Sequence, residues 1–231
     1  MQYFYTTDIT SDYYTLDSEE SKHCIRVLRM GVGDEIWLTN GEGTLCRCRI
    51  ASANAKACEL EVVERIFKER RPWRLHLAVA PTKNTARMEW LIEKAVEMGI
   101  EEITPVVCDH SERSILRQER LERIVTSAMK QSLKEYRPTI NEPTPLKSLL
   151  SQPFDGQRFI AHCDGDHRTP LHDSYVPGNS VQILIGPEGD FSKEEIEEAL
   201  KGGFIPVTLG ECRLRTETAA MAAVAYFNLV N

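Results

Sequence analysis

The chain has 231 residues, of which 42% are hydrophobic, and its formal net charge at pH 7 is -7. This length allows one large domain or two smaller ones with separate cores. The acidic balance argues against a protein that coats nucleic acid through general electrostatics. Apolar runs stay shorter than the ~20 residues that span a bilayer, and the N-terminal stretch lacks the pattern of a signal peptide. We therefore expect a cytoplasmic protein.

The seven cysteines are scattered through apolar or strand-like stretches, without a Cys-x-x-Cys pair. An odd number at irregular positions favours reduced core thiols over a disulfide framework. The residues His162, Cys163, Asp164, His167 and His172 are of metal-ligating types but lack a recognised ligand spacing. We favour an exposed polar loop for this segment, with zinc as the alternative, and predict no structural metal.

Residues 1 to 72 have the pattern of a small β module with one early helix. Asp17 and Glu20 resemble a helix cap, and Asn40-Gly41-Glu42-Gly43 is a hairpin signal between two strands of alternating character. Three short strands are expected, at residues 35–39, 44–50 and 57–63. The module is expected to be a small barrel or sandwich.

The hydrophobic period changes after a basic, proline-containing stretch, so we place a domain boundary near residue 72. Strands and amphipathic helices alternate from residue 73 to residue 231, which predicts a mostly parallel α/β sheet. The strands are expected at residues 75–80, 103–107, 158–163, 181–185 and 206–209. The helices are expected at residues 88–98 and 121–132, from Ser192 with Glu195 as a capping box, and from about Thr216 with Thr216 or Thr218 as its cap.

Two glycine-containing loops follow the last two strands of this sheet. The first, Gly186-Pro187-Glu188-Gly189, ends an apolar run, and open α/β sheets bind ligands at such strand ends. The second, residues 209–216, holds arginines, threonines and glutamates that are costly to bury without partners. A plain tight turn is the alternative for the first loop. The sequence contains no dinucleotide-binding Gly-x-Gly-x-x-Gly after the first strand of the domain, no P-loop and no Gly-x-Ser-x-Gly elbow.

Five segments carry a resemblance to a known family. They are LIGPEGDFSKEE (184–195), LGECRLRTETAA (209–220), PTKNTARMEWLIEKAVEMGIEEITP (81–105), RIVTSAMKQS (123–132) and HCIRVLR (23–29). Over essentially its whole length the chain resembles the ribosomal RNA small subunit methyltransferase E family of the SPOUT superfamily. The resemblance implies a PUA-like β-barrel at residues 1–72 and, at residues 73–231, a SPOUT α/β domain with a trefoil knot. It also implies S-adenosylmethionine in the knot, a homodimer, and methylation of uridine N3 in 16S rRNA near the decoding region.

The chain departs from the family pattern at two places. Asp190 replaces the second glycine of Gly-Pro-Glu-Gly-Gly, which we expect to be tolerated because a carboxylate suits a helix N-terminus. Lys130 and Lys134 stand where the family commonly has glutamate and arginine. Lysine at position 134 keeps the charge but loses bidentate contacts, which weakens the expectation of RNA binding there.

The two loops supply the expected cofactor pocket. Glycines let the main chain approach the adenosine, and the leucines and isoleucine cover its apolar faces. The pocket residues are Leu184, Ile185, Gly186, Pro187, Glu188, Gly189, Leu209, Gly210, Leu214, Arg215 and Thr216.

Uridine N3 carries a proton at neutral pH, so its methylation needs a base or a cation. We expect Arg215 to stabilise the developing uridinate and Glu217 or Glu188 to accept the proton. The alternative is that Arg213, Arg215 and Glu217 pair with one another and fix the loop.

The target base must be unpaired or flipped out, because N3 lies on the Watson–Crick edge. Five basic side chains are the candidates for RNA phosphate contacts: Arg26, Arg29, Arg113, Arg123 and Lys134. Two other functions stay open, an RNA-binding module without activity and an S-adenosylmethionine-dependent enzyme that acts on tRNA.

Overall fold

The computed structural model describes residues 2–164 and 168–231, which form two compact units. One unit comprises the residues up to Arg70 together with Met129–Arg137, and the other comprises Arg71–Ala128 together with Pro138–Asn231. The single domain boundary near residue 72 stays a prediction. Such a boundary does not account for Met129–Arg137, which belongs to the first unit.

The first unit is a five-stranded sheet with one short helix. Its strand order is β1-β3-β4-β5-β2, in which β1 and β3 are parallel and the other neighbours antiparallel. The elements are β1 (Tyr3–Tyr5), β2 (Tyr13–Thr15), α1 (Ser18–Lys22) followed by a π-helical turn (His23–Val27), β3 (Glu35–Thr39), β4 (Thr44–Ser52) and β5 (Glu59–Phe67).

Local sequence signals account for the turns of this unit. The Asp17 carboxylate accepts hydrogen bonds from two backbone N–H groups in the first turn of α1, as an N-cap does. The Asn40 side chain accepts from the N–H groups of Glu42 and Thr44 and so shapes the β3–β4 hairpin. Buried side chains from every strand but β2 form the core: Phe4, Ile36, Leu38, Cys46, Cys48, Ile50 and Leu60. The expected small β domain at the N-terminal end of the chain is confirmed.

The segment Met129–Arg137 is part of the first unit through backbone hydrogen bonds at the hairpin. Gly43 N–H donates to the Glu135 carbonyl at 3.1 Å, and Arg137 N–H donates to the Gly41 carbonyl at 2.8 Å. Gly41 and Gly43 both have positive φ, and a Cβ atom on Gly43 would meet the Tyr136 hydroxyl at 2.3 Å. Glycine is therefore required at the hairpin for close approach as well as for turn geometry.

The second unit is an eight-stranded, parallel sheet with helices around it. Its strand order is β11-β13-β10-β12-β6-β7-β8, and β9 pairs with the end of β7. The elements are β6 (Leu75–Val79), α2 (Thr85–Met98), β7 (Glu102–Val107), α3 (Gln118–Gln131), β8 (Thr139–Ile140), β9 (Thr144–Pro145), α4 (Leu146–Leu150), β10 (Gln157–Ala161), β11 (Thr169–Pro170), α5 (Leu171–Ser174), β12 (Val181–Ile185), α6 (Lys193–Lys201), β13 (Ile205–Thr208) and α7 (Thr216–Val230).

The predicted mostly parallel α/β sheet is confirmed. Strand β12 lies between β10 and β6 and is buried at all five positions, as expected for a strand covered on both faces. Helix α2 ends at Gly99, whose φ of 96° closes the helix in the left-handed conformation. The trefoil knot stays a prediction from the resemblance. In the described ranges no helix is long and apolar enough to cross a membrane.

A polar cluster joins four neighbouring strands of this sheet, β10, β12, β6 and β7. His76 lies 2.7 Å from the Thr104 hydroxyl through Nε2, and the Gln182 amide donates to its Nδ1 at 2.9 Å. Arg158 donates to the other end of the Gln182 amide at 3.0 Å, which fixes the orientation of that amide. Because Nδ1 accepts, the proton of the neutral ring is on Nε2. Burial lowers the pKa of His76 to about 4, so the ring is neutral at physiological pH.

Candidate active site

The first glycine loop turns the chain from β12 into α6. Gly186 and Pro187 are buried, and the Pro187 carbonyl accepts a hydrogen bond from Asp190 N–H at 2.9 Å. The Ser192 hydroxyl accepts from Glu195 N–H while the Glu195 carboxylate accepts from Ser192 N–H, which confirms the predicted capping box. The loop is therefore held at both of its ends.

The second glycine loop contacts the first through Thr216. Its hydroxyl donates to the Gly186 carbonyl at 2.9 Å, and this hydrogen bond is buried. The prediction that Thr216 or Thr218 caps α7 is wrong, because Arg215 is the N-cap residue and gives no side-chain hydrogen bond to the cap. The Thr216 hydroxyl satisfies a strand-end carbonyl instead of a helix-end N–H. The two loops that the sequence singled out are thereby brought together.

Asp190 has a specific structural role at the position where the family pattern has glycine. Its φ of 65° is left-handed, a conformation that aspartate adopts more readily than most residues. One carboxylate oxygen accepts from Cys163 N–H at 2.7 Å, and the other accepts from Phe191 N–H at 2.9 Å. The backbone carbonyl of Asp190 lies 3.0 Å from His110 Nδ1. The backbone here is left-handed, as glycine readily allows, and the aspartate side chain adds an anchor for the end of β10.

A cleft of about 1040 Å³ opens beside the second loop. This volume admits a ligand of nucleoside or cofactor size. Three predicted cofactor residues, Leu209, Gly210 and Leu214, line it together with Asp190. Sequence reasoning missed other lining residues that come from the end of β10, from residues near the start of α5, from β13, from the second loop and from one face of α7. They include His162, Cys163, Asp164, Arg168, Leu171, Arg213, Ala219, Ala222 and Tyr226.

Other predicted cofactor residues lie away from the lining of this cleft. The side chain of Leu184 belongs to the hydrophobic core beneath the sheet, and Ile185 is 2% exposed. Glu188 is exposed, and its carboxylate accepts from Lys83 N–H at 3.0 Å, in the loop after β6. Gly189 lies against His110, whose Cβ atom is 3.1 Å from the place of a Cβ on the glycine. Glu188 and Gly189 thus connect the first loop to the segments that contain Lys83 and His110.

The two candidate catalytic residues have different environments. Arg215, which was also predicted to hold the cofactor, is exposed at the N-cap position of α7 and is not among the residues that line the cleft. Glu217 is buried, and its Oε1 lies 3.6 Å from Nη1 of Arg87 on α2. Its Oε2 is buried and has no hydrogen-bond partner in the described part of the chain. In the described part of the chain Glu217 therefore pairs with Arg87. The alternative prediction had paired it with Arg213 and Arg215.

The cluster of metal-ligating residue types does not assemble within residues 2–164 and 168–231, where no three potential ligands gather. His162 and the exposed His172 both line the cleft, and His172 pairs with Asp173 at 3.4 Å. His167 lies outside the described residues. Burial lowers the pKa of His162, although the nearby Asp190 carboxylate opposes the shift.

The five candidate RNA contacts divide between the two units. Arg26, Arg29 and Lys134 are in the first unit, where Arg26 and Arg29 are exposed. Arg113 and Arg123 are in the second unit.

In the second unit, exposed Arg123 lines a groove of about 710 Å³ along α3 together with Arg117 and Arg120. Arg120 is paired with Glu89, and Arg113 donates to the Lys83 carbonyl at 3.3 Å. The three arginines belong to a basic run that the sequence shows from Arg113 to Arg137, and Glu119 lines the groove beside them.

Family models match both parts of the chain. A model described as an RNA methyltransferase domain matches residues 69–228, and one described as an RNA methyltransferase PUA domain matches residues 16–63. The ribosomal RNA small subunit methyltransferase E of Mesomycoplasma hyopneumoniae is 30% identical over 230 residues, which cover 96% of each chain.

Solved structures agree with this match. A "probable rRNA-methyltransferase" from Porphyromonas gingivalis is 44% identical, with a TM-score of 0.92, and the alignment covers 100% of this chain and 98% of that one. A ribosomal RNA small subunit methyltransferase E from Neisseria gonorrhoeae, bound to S-adenosyl methionine, is 28% identical with a TM-score of 0.87, covering 99% of this chain and 97% of that one. The chain described above belongs to the ribosomal RNA small subunit methyltransferase E family of RNA methyltransferases.

Proposed function

We propose that this protein transfers a methyl group from S-adenosylmethionine to N3 of a uridine in 16S rRNA. The observation that carries the proposal is the cleft lined by Leu209, Gly210 and Leu214, beside two loops that Thr216 joins through the Gly186 carbonyl. The names of the relatives and the cofactor in the Neisseria gonorrhoeae structure support the same reaction. N3 as the methylated atom rests on the family resemblance.

The cleft residues fit an adenosine-containing cofactor. Leu209 and Leu214 offer apolar surface for a base, and Gly210, with a φ of 134°, leaves open space where a side chain would stand. Buried His162 nitrogens without partners in the described chain add polar groups that a bound ligand would satisfy. Bound there, S-adenosylmethionine supplies an activated methyl group, and the protein has mainly to orient it towards the acceptor.

The acceptor chemistry falls to residues at the start of α7. Uridine N3 becomes nucleophilic only as its proton leaves, which puts negative charge on the neighbouring carbonyl oxygens. In our proposal the exposed Arg215 guanidinium stabilises this charge. Glu217 accepts the proton through its unpartnered Oε2, while Arg87, at 3.6 Å from Oε1, orients the carboxylate.

Both units contribute basic residues to RNA binding in this proposal. Arg26, Arg29 and Lys134 contact phosphates from the first unit, and Arg113 and Arg123 do so from the second. Phosphate contacts position an RNA without reading its sequence, so target choice depends on the shape of the assembled substrate.

Charge reversal tests these contacts. The double variant Arg26→Glu/Arg29→Glu and the single variant Arg123→Glu should each weaken binding to 16S rRNA by about tenfold or more in moderate salt. Their affinity for S-adenosylhomocysteine should not change. Lys201→Glu reverses a charge that is 77% exposed on α6 and serves as the matched control. RNA affinities equal to wild type in filter-binding titrations would remove these arginines from the RNA surface.

Methyl transfer from radiolabelled S-adenosylmethionine tests the function itself. We expect label in 16S rRNA when small subunits are the substrate and none when bulk tRNA is, and nuclease digestion should yield N3-methyluridine. Label in tRNA alone would favour the tRNA alternative. Calorimetry without a binding signal for the cofactor would favour an RNA-binding module without activity.

Two further properties belong to the proposal. A homodimer is supported by apolar side chains that α2 and α7 leave exposed, since Trp90 is 48% and Leu229 85% exposed. Light scattering during gel filtration checks the dimer. A cytoplasmic location agrees with the free, buried thiols of Cys24, Cys48 and Cys108.

A further inference from the structure

His162 has an unsatisfied hydrogen-bonding capacity in the wall of the cleft. Both ring nitrogens are buried, and neither has a hydrogen-bond partner among the described residues. The Asp164 backbone opposes the lowering of the His162 pKa by burial, but it gives neither ring nitrogen a hydrogen bond. Buried polar atoms without partners are rare in folded proteins, so a bound molecule is the natural source of the missing contacts.

The segment that carries His162 is held in place from two sides. Asp190 accepts from Cys163 N–H at 2.7 Å, and Arg168 donates to the His162 carbonyl at 2.7 Å. Asp190 is in turn held through its own carbonyl, 3.0 Å from His110 Nδ1. The backbone that carries the imidazole is therefore held in place at the end of β10, beside the first glycine loop.

The chemistry of the ring selects one half of the cofactor. A neutral imidazole offers one donor and one acceptor, which matches neutral groups that also offer both, such as ribose hydroxyls and the edge of adenine. The carboxylate and ammonium of the methionine half are better matched by charged groups, and Asp164, Arg168 and Arg213 supply these in the same cleft.

We propose that His162 binds the nucleoside half of the cofactor through its ring nitrogens, and that Asp190 positions it for this contact. The inference rests on the proposed function, because it assigns a role within the same cleft. Asp190 acts through the backbone of Cys163 and is a positioning residue. The chain uses aspartate, where the family pattern has glycine, to fix a histidine that faces the ligand.

Calorimetric titration with S-adenosylhomocysteine tests the contact. His162→Phe keeps a ring of similar size without nitrogen and should weaken binding about tenfold, the size of one or two lost hydrogen bonds. His162→Gln retains a donor and an acceptor and should stay within about threefold of wild type. His23→Phe makes the same chemical change in the first unit, outside the lining of this cleft, and its affinity should equal that of wild type.

Fragments distinguish the two halves of the ligand. Affinity for adenosine should fall in His162→Phe, whereas affinity for methionine should not. A Phe variant that binds S-adenosylhomocysteine as wild type does, or that loses methionine instead of adenosine, would overturn the assignment. Absence of binding to the wild-type protein would count against the proposed function and not against His162. Thermal melts within a few degrees of wild type show that the Phe variant is folded, and the Gln variant tests the same contact if it is not.

A double-mutant cycle tests the positioning role of Asp190. Asp190→Gly allows the left-handed backbone but removes the acceptor for Cys163 N–H, and Asp190→Asn keeps an acceptor there. We expect Asp190→Gly to weaken S-adenosylhomocysteine binding about as much as His162→Phe does. The double variant should bind S-adenosylhomocysteine with about the same affinity as each single variant. Losses that simply add would show that Asp190 acts independently of His162, and the positioning role would be rejected.

Discussion

Replacement of Arg215 by alanine should lower the rate of methyl transfer by about 10²- to 10³-fold, the usual loss when one group that stabilises developing negative charge is removed. Arg215 is exposed at the start of α7, next to the buried Thr216 that links the two loops. Its guanidinium is therefore available to a substrate while its backbone is fixed by the helix, whose Ala219 N–H donates to the Arg215 carbonyl at 2.8 Å.

Single-turnover kinetics with saturating S-adenosylmethionine and small subunits measure this loss. Arg215→Lys keeps the charge without the planar fork, so we expect an intermediate rate, about tenfold below wild type. Cofactor affinity and thermal stability should change little in both variants, which separates a role in the transition state from a role in fixing the loop. An alanine variant as fast as wild type would remove Arg215 from the mechanism. If that variant also had a lower melting temperature, the role of Arg215 would be structural.

Acidification from pH 7 to pH 4 should remove on the order of 3 kcal/mol of folding free energy through His76 alone. Burial lowers the pKa of this histidine to about 4, Arg74 and Arg158 act in the same direction, and the Glu102 carboxylate at 3.8 Å opposes them. The folded state thus favours the neutral ring. Its contribution is complete above the ordinary pKa of 6.5 and is lost as the pH falls from 6.5 through 4.

Urea unfolding at pH 7, 5.5 and 4 measures this effect against a matched variant. His76→Gln can still accept from Gln182 and donate to Thr104, but it does not titrate. It should be less stable than wild type at pH 7, and the difference should shrink as the pH falls. Other groups titrate in both proteins, so the change in the difference isolates His76. Curves that stay parallel down to pH 4 would mean that folding does not lower the pKa of His76.

Strongly periodic segments were predictable because their signals are local. Strand β12 was predicted at its observed bounds, since a continuous apolar run between turn residues defines it. Helix α2 ends at the predicted Gly99, and α6 begins after the predicted cap Ser192. The shortest elements, β8, β9 and β11 with two residues each, were missed. Two residues are too few to show a period, and such strands form only because a neighbouring strand is already in place.

The candidate site was less predictable than the fold. Leu209, Gly210 and Leu214 were found from the second glycine loop, and they line the cleft. His162 was noticed only as a metal-ligating type and was placed inside the strand predicted at residues 158–163, whereas it follows the observed β10, which ends at Ala161. Tyr226 was missed because it lies on a helix face whose burial depends on what packs against it.

The sequence by itself determined the longer strands and helices, the two glycine loops and the family, since apolar runs, caps and motifs are properties of neighbouring residues. Only the tertiary structure decided which groups meet. The Thr216 hydroxyl binds Gly186, 30 positions away, and not the helix end that its sequence position suggested. Asp190 likewise holds Cys163 across two parallel strands. Hydrogen bonds of this kind depend on the register of the sheet, and residues far apart in the chain set that register together.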